Sequence, residues 1–344
     1  MSERKDIKSL TFDELNNDFQ ILHFPSYRTS QVFQWLHQKN ITSFEEMLNI
    51  PKNIRQTLSE RYYIAVATIE KKQISCYDGT VKYLFRLYDG ELIESVLMNY
   101  HHGYTICIST QVGCKMGCTF CATGKSGFSR NLTPSEMLSQ IQTAQSDNNI
   151  RIANIVLMGM GEPLDNFDNV MKFLELVSCD KGLNIGMRHI SLSTCGIVPR
   201  IYELADRKLQ ITLSVSLHAP NNTLRNQTMP VNRKYPVEQL IKACRYYAKT
   251  TKRRITFEYA MIDKFNDTDS CALQLVQLVK GMLCHINLIP VNTVTETNYR
   301  QSQKKQLLHF AEILETNGIP VTVRRTLGSD IDASCGQLRR KHIP

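Results

Sequence analysis

Cys114-Lys115-Met116-Gly117-Cys118-Thr119-Phe120-Cys121 gathers three thiols within eight residues, shortly after a β-branched run at 105–109. From this loop onward short strand-like runs alternate with longer amphipathic stretches. The spacing predicts further strands at 154–158, 189–193, 210–216, 254–261 and 285–289, and a last one at 321–325. Helices are predicted to begin near Pro134, Phe167, Val198, Pro236, Thr268 and Gln303. Thr133-Pro134-Ser135-Glu136 reads as a capping box, with Thr133 as N-cap, Pro134 at the first helical position and Glu136 reaching back. Six βα units in a row call for a parallel sheet, doubly wound or curled into part of a barrel. No Gly-x-Gly-x-x-Gly follows a strand, which disfavours the dinucleotide-binding version. The unusual residues fall just past the C-terminal ends of the strands, where barrel enzymes place their chemistry. The predicted fold class is therefore α/β, a partial (β/α)6 TIM-like barrel.

Upstream of the barrel, apolar spacing near 3.6 predicts helices at 9–22, 28–38, 43–48 and 52–61, and Val32, Phe33 and Leu36 draw Trp35 toward their core. Between 64 and 97 the pattern changes to β-prone runs punctuated by Asp78-Gly79 and Asp89-Gly90 turns. The organisation that follows is an N-terminal helical accessory domain (1–65), a short β linker or hairpin (66–100), the barrel (101–325), and a C-terminal loop and tail (326–344).

The 344 residues are 42% hydrophobic and 21% charged, which excludes collagen, coiled coil and wholesale disorder. No apolar run approaches the roughly 18 residues of a membrane span, and the first residues lack the apolar core of a secretory signal. A cytoplasmic protein with no membrane partner is expected. The eleven cysteines then suit metal binding or redox chemistry better than structural disulfides. Residues 1–70 carry 8 basic and 9 acidic side chains, so the whole net charge of +9 arises beyond them. That part of the chain suits a polyanion partner.

Three cysteines without an evident fourth ligand fit a 4Fe–4S cluster, which leaves one iron open, better than structural zinc. Zinc with a distant fourth ligand and three incidental cysteines are the competing readings. The C-x-x-x-C-x-aromatic-C pattern, with Phe120 as the aromatic, closely resembles the cluster loop of the radical S-adenosylmethionine (SAM) superfamily. The resemblance implies that Cys114, Cys118 and Cys121 hold one 4Fe–4S cluster whose open iron binds SAM. Met158-Gly159-Met160-Gly161-Glu162-Pro163 looks like that family's Gly-Gly-Glu-Pro element, with Gly161 and Glu162 meeting SAM. Ser193, Ser216-Leu217-His218 and Asn292 match further SAM contacts at later strand ends.

Cys107 lies seven residues before the cluster motif, and Cys335 sits in Gly328-Ser329-Asp330-Ile331-Asp332-Ala333-Ser334-Cys335-Gly336. With these two cysteines the chain, from about Arg28 to Leu338, resembles the RlmN/Cfr group of radical-SAM RNA methyltransferases. Adenine C2 is electron-poor and cannot attack a methyl sulfonium, so the group uses radicals. The resemblance implies that Cys335 carries a methyl group as S-methylcysteine and that Cys107 resolves a protein–RNA adduct through a transient disulfide with Cys335. It also implies that Glu94 is the proton acceptor and that two SAM are used per turnover. Gly161-Glu162-Pro163-Leu164 and Ser193-Thr194-Cys195-Gly196 look more like the branch that methylates C2 than like the C8-methylating resistance branch. The implied substrates are an adenosine in the peptidyl-transferase centre of 23S rRNA and adenosine 37 of certain tRNAs. A reductant such as flavodoxin and a monomeric state complete the expectation. The other classes kept open are the C8 branch, a radical-SAM enzyme acting on a non-RNA substrate, and a zinc-dependent RNA-binding module. Cys76, Cys179, Cys195, Cys244, Cys271 and Cys284 read as core or surface thiols.

Overall fold

The computed structural model of the chain, described for residues 4–291, 299–334 and 336–342, is built on one ten-stranded sheet. Ahead of it, β1 (Lys5–Asp6) pairs in parallel with β2 (Tyr62–Tyr63) and ties together the ends of the helical segment between them. β3 (Thr68–Ile74), β4 (Val81–Arg86) and β5 (Leu92–Tyr100) form an antiparallel meander, and β5 pairs antiparallel with β6 (Gly103–Cys107). A side hairpin of β7 (Gln111–Gly113) and β8 (Phe128–Asn131) follows. The remaining strands are β9 (Ile152–Leu157), β10 (Ile190–Thr194), β11 (Thr212–Ser216), β12 (Ile255–Met261), β13 (Cys284–Pro290) and β14 (Val321–Val323). Each lies parallel to its predecessor, and β9 adds to β6.

Helices Pro134–Asn148, Phe167–Ser178, Val198–Asp206, Val237–Thr251, Asp269–Val279 and Lys304–Thr316 connect these strands, as the sequence pattern predicts. The Thr133–Glu136 capping box forms in both directions. Burial alternates along the strands: in β10, Ile190, Leu192 and Thr194 are buried while Ser191 and Ser193 are half-buried. In β13, Ile286 and Leu288 are buried while His285 and Asn287 are not. One face of the sheet therefore packs on helices and the other faces a polar lumen. Among the described residues the sheet ends at β14 and β3 without closing, so the barrel is partial. Its helical layer is tightly packed: Leu240 is fully buried where Val198–Asp206 meets Val237–Thr251, and truncating such a leucine costs about 2–5 kcal/mol.

The β-prone stretch around 66–100 does not stand apart as a linker. Val96 to Tyr100 of β5 are in register with Cys107 to Gly103 of β6, which makes the meander an antiparallel extension of the barrel sheet. Leu84 and Leu92 on that extension pack with Leu338, so its face seats the C-terminal segment. The N-terminal helices, Phe12–Ile21, Tyr27–His37 and Lys52–Arg61, contribute Leu15, Phe19, Val32, Phe33, Leu36 and Leu58 to a core continuous with that of the barrel. The Gln142 amide donates to the carbonyls of Leu36 and His37, docking the two parts. Trp35 is only partly buried at the rim of this core, where its Nε1 donates to Asn49 at 2.6 Å and Lys39 lies over its ring.

Candidate active site

Two strand ends are stitched together beneath the site. Gly159 and Gly161 follow β9, and each lies against the chain that follows β6. A Cβ on Gly159 would meet the Ile108 carbonyl oxygen at 2.6 Å, and one on Gly161 would meet the Gln111 nitrogen at 2.7 Å. Gly161 also has φ +105°, a conformation that side chains resist. These glycines let Met160 accept hydrogen bonds from Thr110 and Gln111. They also carry Glu162 into the lumen. The Glu162 carboxylate is almost fully buried and accepts N–H bonds from Leu164 at 3.0 Å and Cys195 at 2.7 Å. Burial raises its pKa above the ordinary carboxylate value.

The cysteine loop runs from β7 to the short helix Ala122–Lys125. Cys114 N–H donates to Gly127, and Thr119 N–H donates to the Thr228 carbonyl, which anchors the loop at both ends. Burial, followed by nearby negative groups, pushes the Cys114 thiol up to about 12. Burial likewise raises Cys118, with Cys121 and Cys114 adding to the shift. Cys114 and Cys118 thus resist ionising unless a cation replaces their protons, which suits a metal-binding donor set. Among the described residues no three His, Cys, Asp or Glu side chains converge closely enough to hold one metal ion. Three sulfurs on one loop suit a cluster that offers a separate iron to each.

A cavity of about 220 Å³ opens beside the loop, lined by all three cysteines together with Gly161, Glu162, Ser193, Ser216 and His218. Leu217 points into the apolar core and supplies its carbonyl instead of a cavity wall. His218 sits at φ +56° with Nδ1 accepting the Ala260 N–H at 2.9 Å, so its ring proton is on Nε2. Burial, then the charge of Arg225, lowers its pKa to about 3, and its ring meets Phe120 edge-on at 4.7 Å. Asn292 and Cys335 lie outside the described residues.

A second cavity, of about 340 Å³, adjoins the first. The two share Phe120, Cys121, Met158, Gly159, Ile289 and Arg324. Cys107, buried at the end of β6, lines the second cavity with Val96, Met98, Tyr100, Arg325 and Gln337. Glu94 lines neither cavity. It lies buried on β5, and its Oε2 pairs with Lys82 Nζ at 2.6 Å.

Several residues of the site were not legible as such in the sequence. Glu258 lines the first cavity from β12 and accepts a hydrogen bond from Asn287 at 2.8 Å. Its signal was a lone acid inside an apolar strand. Arg225 is wholly buried and gives its donors to the carbonyls of Cys195, Ser216 and Leu217 and to Asn232. Among the described residues it makes no salt bridge, and nothing in its local sequence marks it. Lys82 was equally silent.

Comparison with known proteins places this geometry. Residues 108–274 match the radical SAM superfamily, and residues 5–64 match the ribosomal RNA large subunit methyltransferase N-terminal domain. The chain is 52% identical over 339 residues to a probable dual-specificity RNA methyltransferase RlmN of Clostridium novyi, covering 98% of this chain and 99% of the relative. It is 54% identical over 341 residues to the like-named protein of Alkaliphilus oremlandii, covering 99% of each. The crystal structure of a radical SAM methyltransferase from Sphaerobacter thermophilus superposes with a TM-score of 0.91 at 41% identity, covering 97% of this chain and 98% of that one.

Proposed function

Because the chain belongs to the RlmN family of radical SAM RNA methyltransferases, we propose that it methylates C2 of an adenosine in both 23S rRNA and tRNA. The observation that carries this reading is the pair of adjoining cavities, one beside the three cysteines and one beside Cys107, joined through Phe120, Met158 and Arg324. The first suits SAM. Gly161 and Glu162 offer backbone and carboxylate to its amino group, while Ser193, Ser216 and neutral His218 border the rest of the nucleoside. Cys114, Cys118 and Cys121 would hold the 4Fe–4S cluster, which supplies the electron that cleaves SAM to methionine and a 5′-deoxyadenosyl radical.

The second cavity suits an extruded adenine: Val96 and Met98 offer apolar contact, and Tyr100, Arg325 and Gln337 offer polar edges. Cys335 accepts a methyl group as a thioether as the sulfonium bond of one SAM breaks. It then loses one hydrogen atom from that methyl to the radical made from a second SAM, and bonds to C2 through the methylene carbon. The adduct passes one electron to the oxidised form of a one-electron carrier and its C2 proton to a base at the site. Cys107, as thiolate, attacks the Cys335 sulfur; the methylene leaves with the bonding pair and takes a solvent proton, and the two sulfurs become a disulfide. A one-electron donor of the flavodoxin class and a thiol reductant restore the enzyme. The basic excess beyond residue 70 would meet phosphates, and the near-neutral N-terminal helices would read RNA shape.

The test is anaerobic turnover with unmodified 23S rRNA and tRNA. 2-Methyladenosine in both supports the proposal, and 8-methyladenosine, or SAM cleavage with no RNA product, opposes it.

A further inference from the structure

Lys82 and Glu94 form a buried ion pair that the reaction scheme above does not use. Lys82 lies opposite Val96, and Glu94 lies opposite Leu84, so the two are diagonal neighbours on one face of the antiparallel extension. Both are almost fully buried, with side-chain exposures of 0% and 2%. Burying such a pair costs several kcal/mol per ion unless further hydrogen bonds satisfy both partners. Here those bonds all go to one place. Lys82 Nζ donates to the Ser334 carbonyl at 3.1 Å and reaches the Ala333 carbonyl at 3.5 Å. Glu94 Oε2 accepts the Gly336 N–H at 2.7 Å, and Oε1 accepts the Arg339 N–H at 2.6 Å. The cation thus holds the main chain just before position 335, and the carboxylate holds it just after.

The held segment also abuts the cysteine loop. A Cβ on Gly336 would meet Thr123 N at 2.6 Å, on the helix that follows Cys121. Ala333, Ser334 and Gln337 line the second cavity, whereas Lys82 and Glu94 lie behind them. A carboxylate that accepts two main-chain N–H groups and an ammonium from behind the loop is placed to position it.

We propose that Lys82 and Glu94 form a two-sided main-chain clamp that sets the position of the Cys335 loop, so that both act as positioning residues for it. The proposal rests on the reading of Cys335 as the methyl carrier. The test uses Glu94→Gln, Lys82→Met and the double variant in the full-length, cluster-loaded protein. Amide hydrogen exchange is followed across 328–342, together with SAM-dependent methylation of Cys335 by mass spectrometry and formation of 5′-deoxyadenosine.

The clamp predicts exchange at Gly336 and Arg339 faster by about tenfold or more in each single variant, since charge-assisted hydrogen bonds are lost. It predicts no further large increase in the double variant, whose neutral pair guards against a folding defect in the singles. Cys335 methylation falls alike in Glu94→Gln and Lys82→Met, while SAM cleavage continues uncoupled from it. General destabilisation would depress both together and would overturn the proposal. Unchanged exchange would overturn it too, as would a Glu94→Gln variant that methylates Cys335 normally and stalls only on RNA while Lys82→Met is fully active. If the wild-type protein places no methyl on Cys335, the carrier reading fails by itself, and the exchange result still decides the clamp.

Discussion

Replacing Gly161 with alanine tests whether the stitched strand ends build the SAM cavity. The substitution carries two separable penalties. A non-glycine residue at φ +105° costs about 1–3 kcal/mol in backbone strain. The new Cβ would also stand 2.6 Å from Gln111 Cβ and 2.7 Å from Gln111 N, so the two strand ends must part. Overpacking of that kind adds about 1–3 kcal/mol, for a total of about 2–6 kcal/mol. Gly79→Ala is the control: it has φ +69° with nothing within 4 Å, so it carries strain without the collision. Thermal melts and SAM calorimetry on both variants separate the penalties. Gly161→Ala is expected to lose several degrees in Tm, at about 1–3 °C per kcal/mol for a chain of this size. Its SAM affinity should fall at least about tenfold, the equivalent of about 1.4 kcal/mol, because Glu162 moves with the strand end. Gly79→Ala should lose less Tm and bind SAM as the wild type does. Equal SAM affinity in Gly161→Ala and wild type would refute the reasoning.

Other expectations follow from the same geometry. Cys118→Ala should lose the brown colour, the bound iron and all SAM cleavage; iron and sulfide analysis checks this. Cys107→Ala should still place a methyl group on Cys335 but accumulate a covalent protein–RNA adduct, visible as a shifted band in denaturing gels, and ready multiple turnover would contradict the resolving role. Acid should destabilise the fold through His37 and His218, which burial lowers from 6.5 to about 3. The unfolded chain takes up these protons below about pH 6.5 and the folded chain does not, so their stabilisation is complete above that pH and is lost as pH falls toward 3. Between pH 7.5 and 5.5 the two cost about 3 kcal/mol together. Both ring nitrogens of His37 lack a hydrogen-bond partner among the described residues, so His37→Leu should halve the acid slope of the urea midpoint. Arg225→Met removes a buried positive charge whose influence reaches Cys118, and it should lower the reduction potential of the reconstituted cluster in spectroelectrochemical titration.

The barrel was legible because its signals are local. β-Branched runs, the Thr133 capping box and the onset of helices at Phe167 and Val198 each depend on a few adjacent residues, and the structure keeps them all. The cysteine loop was legible for the same reason, since its three thiols occupy one turn. What the sequence hid depends on contacts between distant segments. The resemblance singled out Glu94 as a proton acceptor, but its contacts stayed hidden, because its partners are Lys82 on the neighbouring strand and main-chain groups more than 240 residues away. Arg225 was invisible because it serves carbonyls at the ends of two strands, and a carbonyl leaves no trace in sequence. The extension of the sheet by residues 66–100 was missed because hairpin signals fix turns but not the strand against which a hairpin docks.

The most direct measurement is nucleoside mass spectrometry after anaerobic reaction of the cluster-loaded protein with SAM, a reductant and unmodified 23S rRNA or tRNA. The account expects 2-methyladenosine in both RNAs, one methyl per target, and its complete loss in Cys335→Ala. 8-Methyladenosine, or unmodified RNA from protein that demonstrably cleaves SAM, would contradict it.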